Sequence, residues 1–178
     1  KDAEILREAL EKEPDNTRYM FYLAQSYRDS NQPQKSLEAY EVRVAAAGWP
    51  EEVYYSMYMV ARLKEVMNYP VNEVVEAYSR AWEFRPERLE AVFHAMRKLR
   101  EQSRWVLALA YGEAALQRVG TRDILFVEPE IWQWRLLDEF SICAFYAGRV
   151  DSAAEKVTAI VNAPFFRDLP ERERERIL

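Results

Sequence analysis

The chain holds one cysteine, one histidine and 4 glycines in 178 residues. A lone Cys143 can close no internal disulfide and supply no multi-cysteine zinc site. So little glycine leaves the chain short of the turns that a multi-stranded sheet or a phosphate-cradling loop requires. No apolar run comes near the roughly 18 residues of a membrane span, and Lys1-Asp2-Ala3-Glu4 is unlike a signal peptide. That opening reads as a start inside a longer protein. The single cysteine points to a reducing, cytoplasmic setting. Excess basic charge is also missing: 25 Lys and Arg stand against 30 Asp and Glu, a net charge of −5. Nucleic acid and anionic membrane are therefore disfavoured as main partners, although a local basic patch is compatible with the total.

What the chain does have is 49% hydrophobic and 31% charged residues, enough for one sizeable core, with Ala, Leu, Glu and Arg abundant. This composition predicts an all-helical fold. Met20, Leu23, Ala24 and Tyr27 stand at i, i+3, i+4, i+7, which lays one apolar stripe on a helix. Val92, Ala95, Met96 and Leu99 repeat the offsets, as do Leu137, Phe140, Ser141 and Ala144. A longer apolar pattern between Tyr54 and Val66 has no single phase. After each clean stripe comes a short polar turn and a second helix with small or aromatic positions: Ser36 and Tyr40, Ala108 and Ala115, Ala153 and Ile160. The turns read as Asp29-Ser30-Asn31-Gln32-Pro33, Glu101-Gln102-Ser103, and Ala147-Gly148-Arg149 before the N-cap candidate Asp151. Helix, turn, helix in tandem is the pattern of a solenoid.

These residues resemble the tetratricopeptide repeat, a helical hairpin of about 34 residues. With Tyr27 at its first-helix aromatic position, Leu23 and Ala24 fall on the Leu-small pair, and Ser36 and Tyr40 on the second-helix positions. Ala9, Leu10 and Pro14 match the end of a preceding repeat. The resemblance implies a right-handed α-solenoid in one helical-repeat domain. Residues 1–14 form the second helix of a truncated repeat, and 15–48, 49–86 and 87–120 are full repeats. An insertion at 121–130 precedes a last repeat at 131–165 and a C-terminal helix at 166–178. Pro86 lies 38 residues beyond Gly48, placing extra residues near Gly48-Trp49-Pro50 or Asn68-Tyr69-Pro70. The insertion carries Ile124-Leu125-Phe126-Val127, an apolar tetrad that must pack back on the array or meet a partner. Glu128-Pro129-Glu130 then suits a helix start.

Larger blocks narrow the resemblance. The run from Arg18 through Phe21-Tyr22-Leu23-Ala24-Gln25-Ser26-Tyr27-Arg28 to Asp29, then Gly48-Trp49, Arg85-Pro86, Leu125-Phe126-Val127-Glu128 and Trp134-Arg135-Leu136-Leu137, is similar to the repeat region that follows the catalytic domain of bacterial family-2 glycosyltransferases. Enzymes of that family hold a nucleotide-sugar diphosphate through a metal on an Asp-any-Asp motif. No two aspartates here are two apart, and no strand-rich nucleotide-binding half is present. The resemblance thus implies a noncatalytic accessory region, with no cofactor and no metal.

Other chemistry finds little footing. His94 and Cys143 lie in different repeats within packing helices, so a core reading is favoured over a nucleophilic pair. Adjacent Asp138 and Glu139 point to different helix faces and do not chelate one ion. In the tail, Glu171 with Arg174 and Glu173 with Arg176 read as a solvated charged helix. Trp132 and Trp134 straddle Gln133, so one is expected to pack and the other to sit nearer solvent.

The tetratricopeptide resemblance implies that positions 2, 5, 9 and 12 of each first helix line a concave groove. Those are Arg18, Phe21, Gln25 and Arg28; then Glu90, Phe93, Arg97 and Arg100; then Arg135, Asp138, Ile142 and Phe145. Guanidinium groups grip carboxylates or phosphates, and interleaved Phe stacks on apolar or sugar faces, so the groove suits a protein or peptide segment or a glycan acceptor. The plainer alternative pairs those arginines with Glu and Asp across repeats. A rival role is a structural spacer or homodimerisation module, with the insertion and truncated first repeat buried against a second copy.

Overall fold

In a computed structural model, which describes residues 2–118 and 120–178, the chain is all-α, with no strand among the described residues. The helices are α1 (Asp2–Lys12), α2 (Thr17–Asp29), α3 (Pro33–Ala45), α4 (Pro50–Val66), α5 (Val71–Phe84), α6 (Glu90–Glu101), α7 (Trp105–Leu116), α8 (Leu136–Tyr146), α9 (Val150–Val161) and α10 (Glu171–Ile177). A π-helical turn, Ile131–Arg135, leads into α8, and a 3₁₀ turn, Pro164–Asp168, follows α9. The chain forms two compact units. Unit 1 contains α1 to α5 and takes in Arg122–Val127; unit 2 contains α6 to α10.

One turn recurs four times. After α2, α4, α6 and α8 the chain places Asn31, Asn68, Ser103 and Gly148 at positive φ, the left-handed conformation that ends a helix. Each of these residues donates its amide to the carbonyl three back, and the next donates to the carbonyl five back. In α6 the pair is Ser103 to Arg100 (2.8 Å) and Arg104 to Leu99 (3.0 Å); in α8 it is Gly148 to Phe145 (3.0 Å) and Arg149 to Ala144 (2.8 Å). Glycine and asparagine accept this conformation readily and serine does so at some strain. The following helix then folds back on its predecessor, and the hairpin unit repeats.

Two local readings are corrected. The extra residues of the second repeat lie within α4, which runs 17 residues against 13 for α2, the longer apolar pattern between Tyr54 and Val66 extending the helix by about a turn. Asp151 is not a cap: α9 starts at Val150 behind Arg149, leaving Asp151 in the first turn, where a carboxylate complements the helix dipole.

Small residues set the helix approach. Ala24 is fully buried, and the buried Ser36 hydroxyl donates to its carbonyl at 2.9 Å, joining α2 to α3. Tyr40, Tyr54 and Tyr78 are the fully buried tyrosines in the core of unit 1. In unit 2 the stripe Val92, Ala95, Met96 and Leu99 is wholly buried. Gly112 of α7 sits so close that a Cβ there would lie 2.6 Å from Met96 Cε and 2.8 Å from Phe140 Cδ2. The tail is more than a solvated helix. Ile177 is buried with Trp134 and Ile160, and both Nη atoms of Arg176 donate to Asp138, at 3.1 and 2.8 Å.

Candidate functional site: the first-helix faces

Each unit carries a subset of the groove residues, and each subset has its own chemistry. In unit 1, Arg18 stands out with a half-exposed side chain. It bridges to Glu52 at 3.2 Å and lies over the rings of Tyr22 (5.8 Å) and Trp49 (5.6 Å). Phe21 is buried, its edge against Tyr40 and Tyr55, so it forms a floor and offers no open surface. Gln25 opens on a cleft of about 500 Å³ shared with Asp2 and Leu6 of α1. Arg28 donates to Asp29 at 2.9 Å and to the Tyr55 hydroxyl at 3.0 Å. Burial opposes its charge, but Asp29, Tyr40 and Tyr55 outweigh that and raise its affinity for the proton above the ordinary value.

Residues that the sequence left without a role complete this face. Tyr55 lies on α4, the helix whose phase the apolar pattern left open. The ring of Phe126, from the insertion, sits 4.5 Å from that of Tyr55 and tilted 36° to it. Asp123 is gripped by Arg85 through both Nε (2.8 Å) and Nη2, and the amides of Ile124 and Leu125 donate to the Glu51 carboxylate at 2.9 and 2.8 Å. The apolar tetrad of the insertion was the available signal; its acidic neighbour Asp123 was not singled out.

In unit 2 a cleft of about 540 Å³ is lined by Phe93, Arg97, Arg100, Trp134, Arg135 and Glu139, among others. Phe93 is buried and floors the cleft, with the Arg135 guanidinium 4.9 Å above its ring. Arg100 is paired with Glu139, and Arg97 with Glu101 at 3.6 Å. Arg135 forms no ion pair among the described residues. Burial pushes the Glu139 carboxyl above its usual range, Arg100 pulls it back and neighbouring Asp138 adds to the rise. Glu90 is buried, held by Arg88 at 3.0 Å and accepting the Glu128 amide at 3.1 Å, so it does not line the cleft. Ile142 and the exposed Phe145 line a second cleft, of about 570 Å³, with α9 and the end of α10.

Cys143 is fully buried, and burial pushes its thiol up to about 12, so it carries no thiolate near neutral pH. His94 is buried edge-on against Phe93. Among the described residues no cluster of three or more His, Cys, Asp or Glu side chains could hold a metal ion, and no helix is long and apolar enough to cross a membrane. Trp134 packs, whereas Trp132 is half-buried.

No protein-family profile matches the chain, and no curated protein matches it. Solved structures do. MamA superposes with a TM-score of 0.65 at 14% identity, covering 98% of this chain and 88% of that one. YrrB, described as a TPR protein with an unusual peptide-binding site, gives 0.63 at 14% identity over 90% and 75%. The pilF protein of Pseudomonas aeruginosa gives 0.65 at 13% identity over 93% and 70%. Likeness at such identity speaks to the fold alone: an α-solenoid of tetratricopeptide-like helical hairpins.

Proposed function

We propose that the chain is a noncatalytic helical-repeat module that binds a protein segment on its first-helix faces, and that it serves as the accessory region of a bacterial glycosyltransferase in the cytoplasm, where a glycan acceptor is the other candidate ligand. The observation that carries the binding role is Arg135. Its guanidinium stands over the Phe93 ring in an arginine-lined cleft and is engaged by no carboxylate among the described residues. A ligand carboxylate or phosphate would gain a charge-assisted contact there, with Arg97 nearby and an aromatic floor for an apolar group. Peptide binding by YrrB supports the same reading. The glycosyltransferase setting rests on the sequence blocks from Arg18 to Asp29 and around Trp134-Arg135-Leu136-Leu137.

Calorimetric titration with a glutamate-rich peptide bearing one phenylalanine, and separately with a sugar phosphate, tests the binding role. Loss of one charge-assisted contact is worth about 1.5–3 kcal/mol, so Arg135→Ala should weaken the preferred ligand by roughly tenfold or more. Unchanged affinity in Arg135→Ala combined with Arg97→Ala would remove the cleft from consideration.

The homodimer reading has its own support. Ile5 of α1 is 58% exposed and Ile124 of the insertion 83% exposed, two apolar side chains that a second copy could cover. Sedimentation across micromolar to millimolar concentrations separates the two: a strict monomer retires the dimer.

A further inference from the structure

The segment Asp123–Phe126 is held on unit 1 in the manner of a bound peptide. Its carboxylate is clamped bidentately by Arg85. Its next two amides are captured by one carboxylate, Glu51. Its ring is laid on Tyr55, which itself rests edge-on against Phe21 at 5.9 Å and accepts a hydrogen bond from Arg28. Of the two residues between these anchors, Ile124 is 83% exposed and Leu125 half-buried, so the side-chain anchors are the acidic and the aromatic positions.

The backbone shows what the tether costs. Phe126 has φ of +48°, a conformation that an L-aromatic residue takes only under constraint, here where the chain must leave unit 1 one residue later. A free segment with the same side chains has no such return to make and can lay its ring on Tyr55 without that strain.

We propose that the α4 face of unit 1, with Arg85 at the end of α5, is a docking site for a segment carrying a carboxylate three residues ahead of an aromatic ring, and that residues 123–126 occupy it in cis. This deepens the reading that first-helix faces take up protein segments, by naming the ligand chemistry of one face. The covalent strap holds the advantage of a high effective concentration, of order millimolar for a short link, so an external segment binds the unmodified chain only weakly until the strap is loosened.

The test uses the full chain and a fluorescein-labelled peptide of sequence TRDILFVE, identical to residues 121–128. In fluorescence anisotropy, Asp123→Asn with Phe126→Ala should bind it at least tenfold more tightly than the unmodified chain. Adding Tyr55→Ala or Arg85→Ala should abolish the gain, and a peptide with alanine for its phenylalanine should fail. Equal binding by strapped and loosened chains, or no binding by a loosened chain with native circular dichroism, overturns the proposal. Should the loosened chain not fold, hydrogen exchange of the Ile124 and Leu125 amides in the unmodified chain decides: millimolar peptide must speed it, and unchanged rates overturn the idea. Arg135 lies in unit 2, so its titrations succeed or fail independently of this site.

Discussion

Each unit buries an arginine–glutamate pair and uses it to hold a loop. In unit 1 Arg43 and Glu52 meet at 3.0 Å with almost no exposure, and Arg43 also donates to the Ala47 carbonyl in the turn between α3 and α4. In unit 2 Arg88 and Glu90 meet at 3.0 Å with none, and Glu90 takes the Glu128 amide where the insertion ends. Over those similar anchors the faces diverge. Unit 1 shows an aromatic cluster covered by the chain's own acidic-aromatic segment; unit 2 shows guanidinium groups over an aromatic floor. Repeated turns and buried pairs fix the scaffold, and the outward side chains of the first helices are what differ between the units.

The largest effect should come from breaking one anchor. Arg43→Ala leaves Glu52 buried without its main counter-charge and is expected to cost about 3–5 kcal/mol in urea unfolding. The double change Arg43→Met with Glu52→Leu should recover most of that, since no charge is then stranded. Arg88→Ala should cost a similar amount. A loss below about 1 kcal/mol in either single variant would show that solvent reaches the pair and that the anchors are not alike.

Next comes packing in unit 2. Gly112→Ala gains up to about 1 kcal/mol of helix propensity but drives a methyl against Met96 and Phe140. The Met96 tip can swing aside, whereas the Phe140 ring is in the core, so net destabilisation of about 1–2 kcal/mol is expected by thermal melting. A stabilised variant would mean that the α7 contact is looser than the geometry shows.

How much of this was legible in the sequence follows from the periodicity of each element. Val92, Ala95, Met96 and Leu99 announced α6 because a helix with one core stripe repeats its apolar residues at fixed offsets, and all four are buried. The stripe on α2 was only partly right: Ala24 is buried, but the deepest large side chain is Phe21, a residue assigned to the groove by register. Register says which way a position faces, not whether a neighbour covers it. The α4 helix gave no phase since it is apolar nearly all round, with Val53, Tyr54, Tyr55 and Tyr58 buried in succession, and Tyr55 escaped notice for that reason. Contacts from Asp123 to Arg85 and from Leu125 to Glu51 join residues 38 and 74 apart, beyond what local pattern can specify. The pairing of Arg100 with Glu139 is likewise non-local.

A pH series sharpens the electrostatic side of the comparison. Glu139 has its carboxyl affinity for protons raised in the folded state, mainly by burial. The native state therefore holds that proton to higher pH than the unfolded chain does, and its contribution to stability is fullest below the ordinary 4.5 and declines as pH rises through the folded value. Glu139→Gln removes this slope. Stability of the parent relative to the variant should fall as pH is raised from 4 towards neutrality; a difference that stays flat or climbs would mean that Arg100 outweighs burial.

The smallest expected effect isolates strain in the strap. Phe126→Ala loses the tilted ring contact with Tyr55, worth about 0.5–1.5 kcal/mol, yet keeps a Cβ at positive φ. Phe126→Gly loses the same contact and relieves the backbone by about 1–2 kcal/mol, less the greater entropy of an unfolded glycine. The glycine variant should therefore be the more stable of the two by under about 1 kcal/mol, and close to the parent. Because both lack the ring, their difference reports the backbone alone. An alanine variant as stable as the glycine variant would mean that Phe126 sits there without strain, and that an external segment has no conformational advantage over the tethered one.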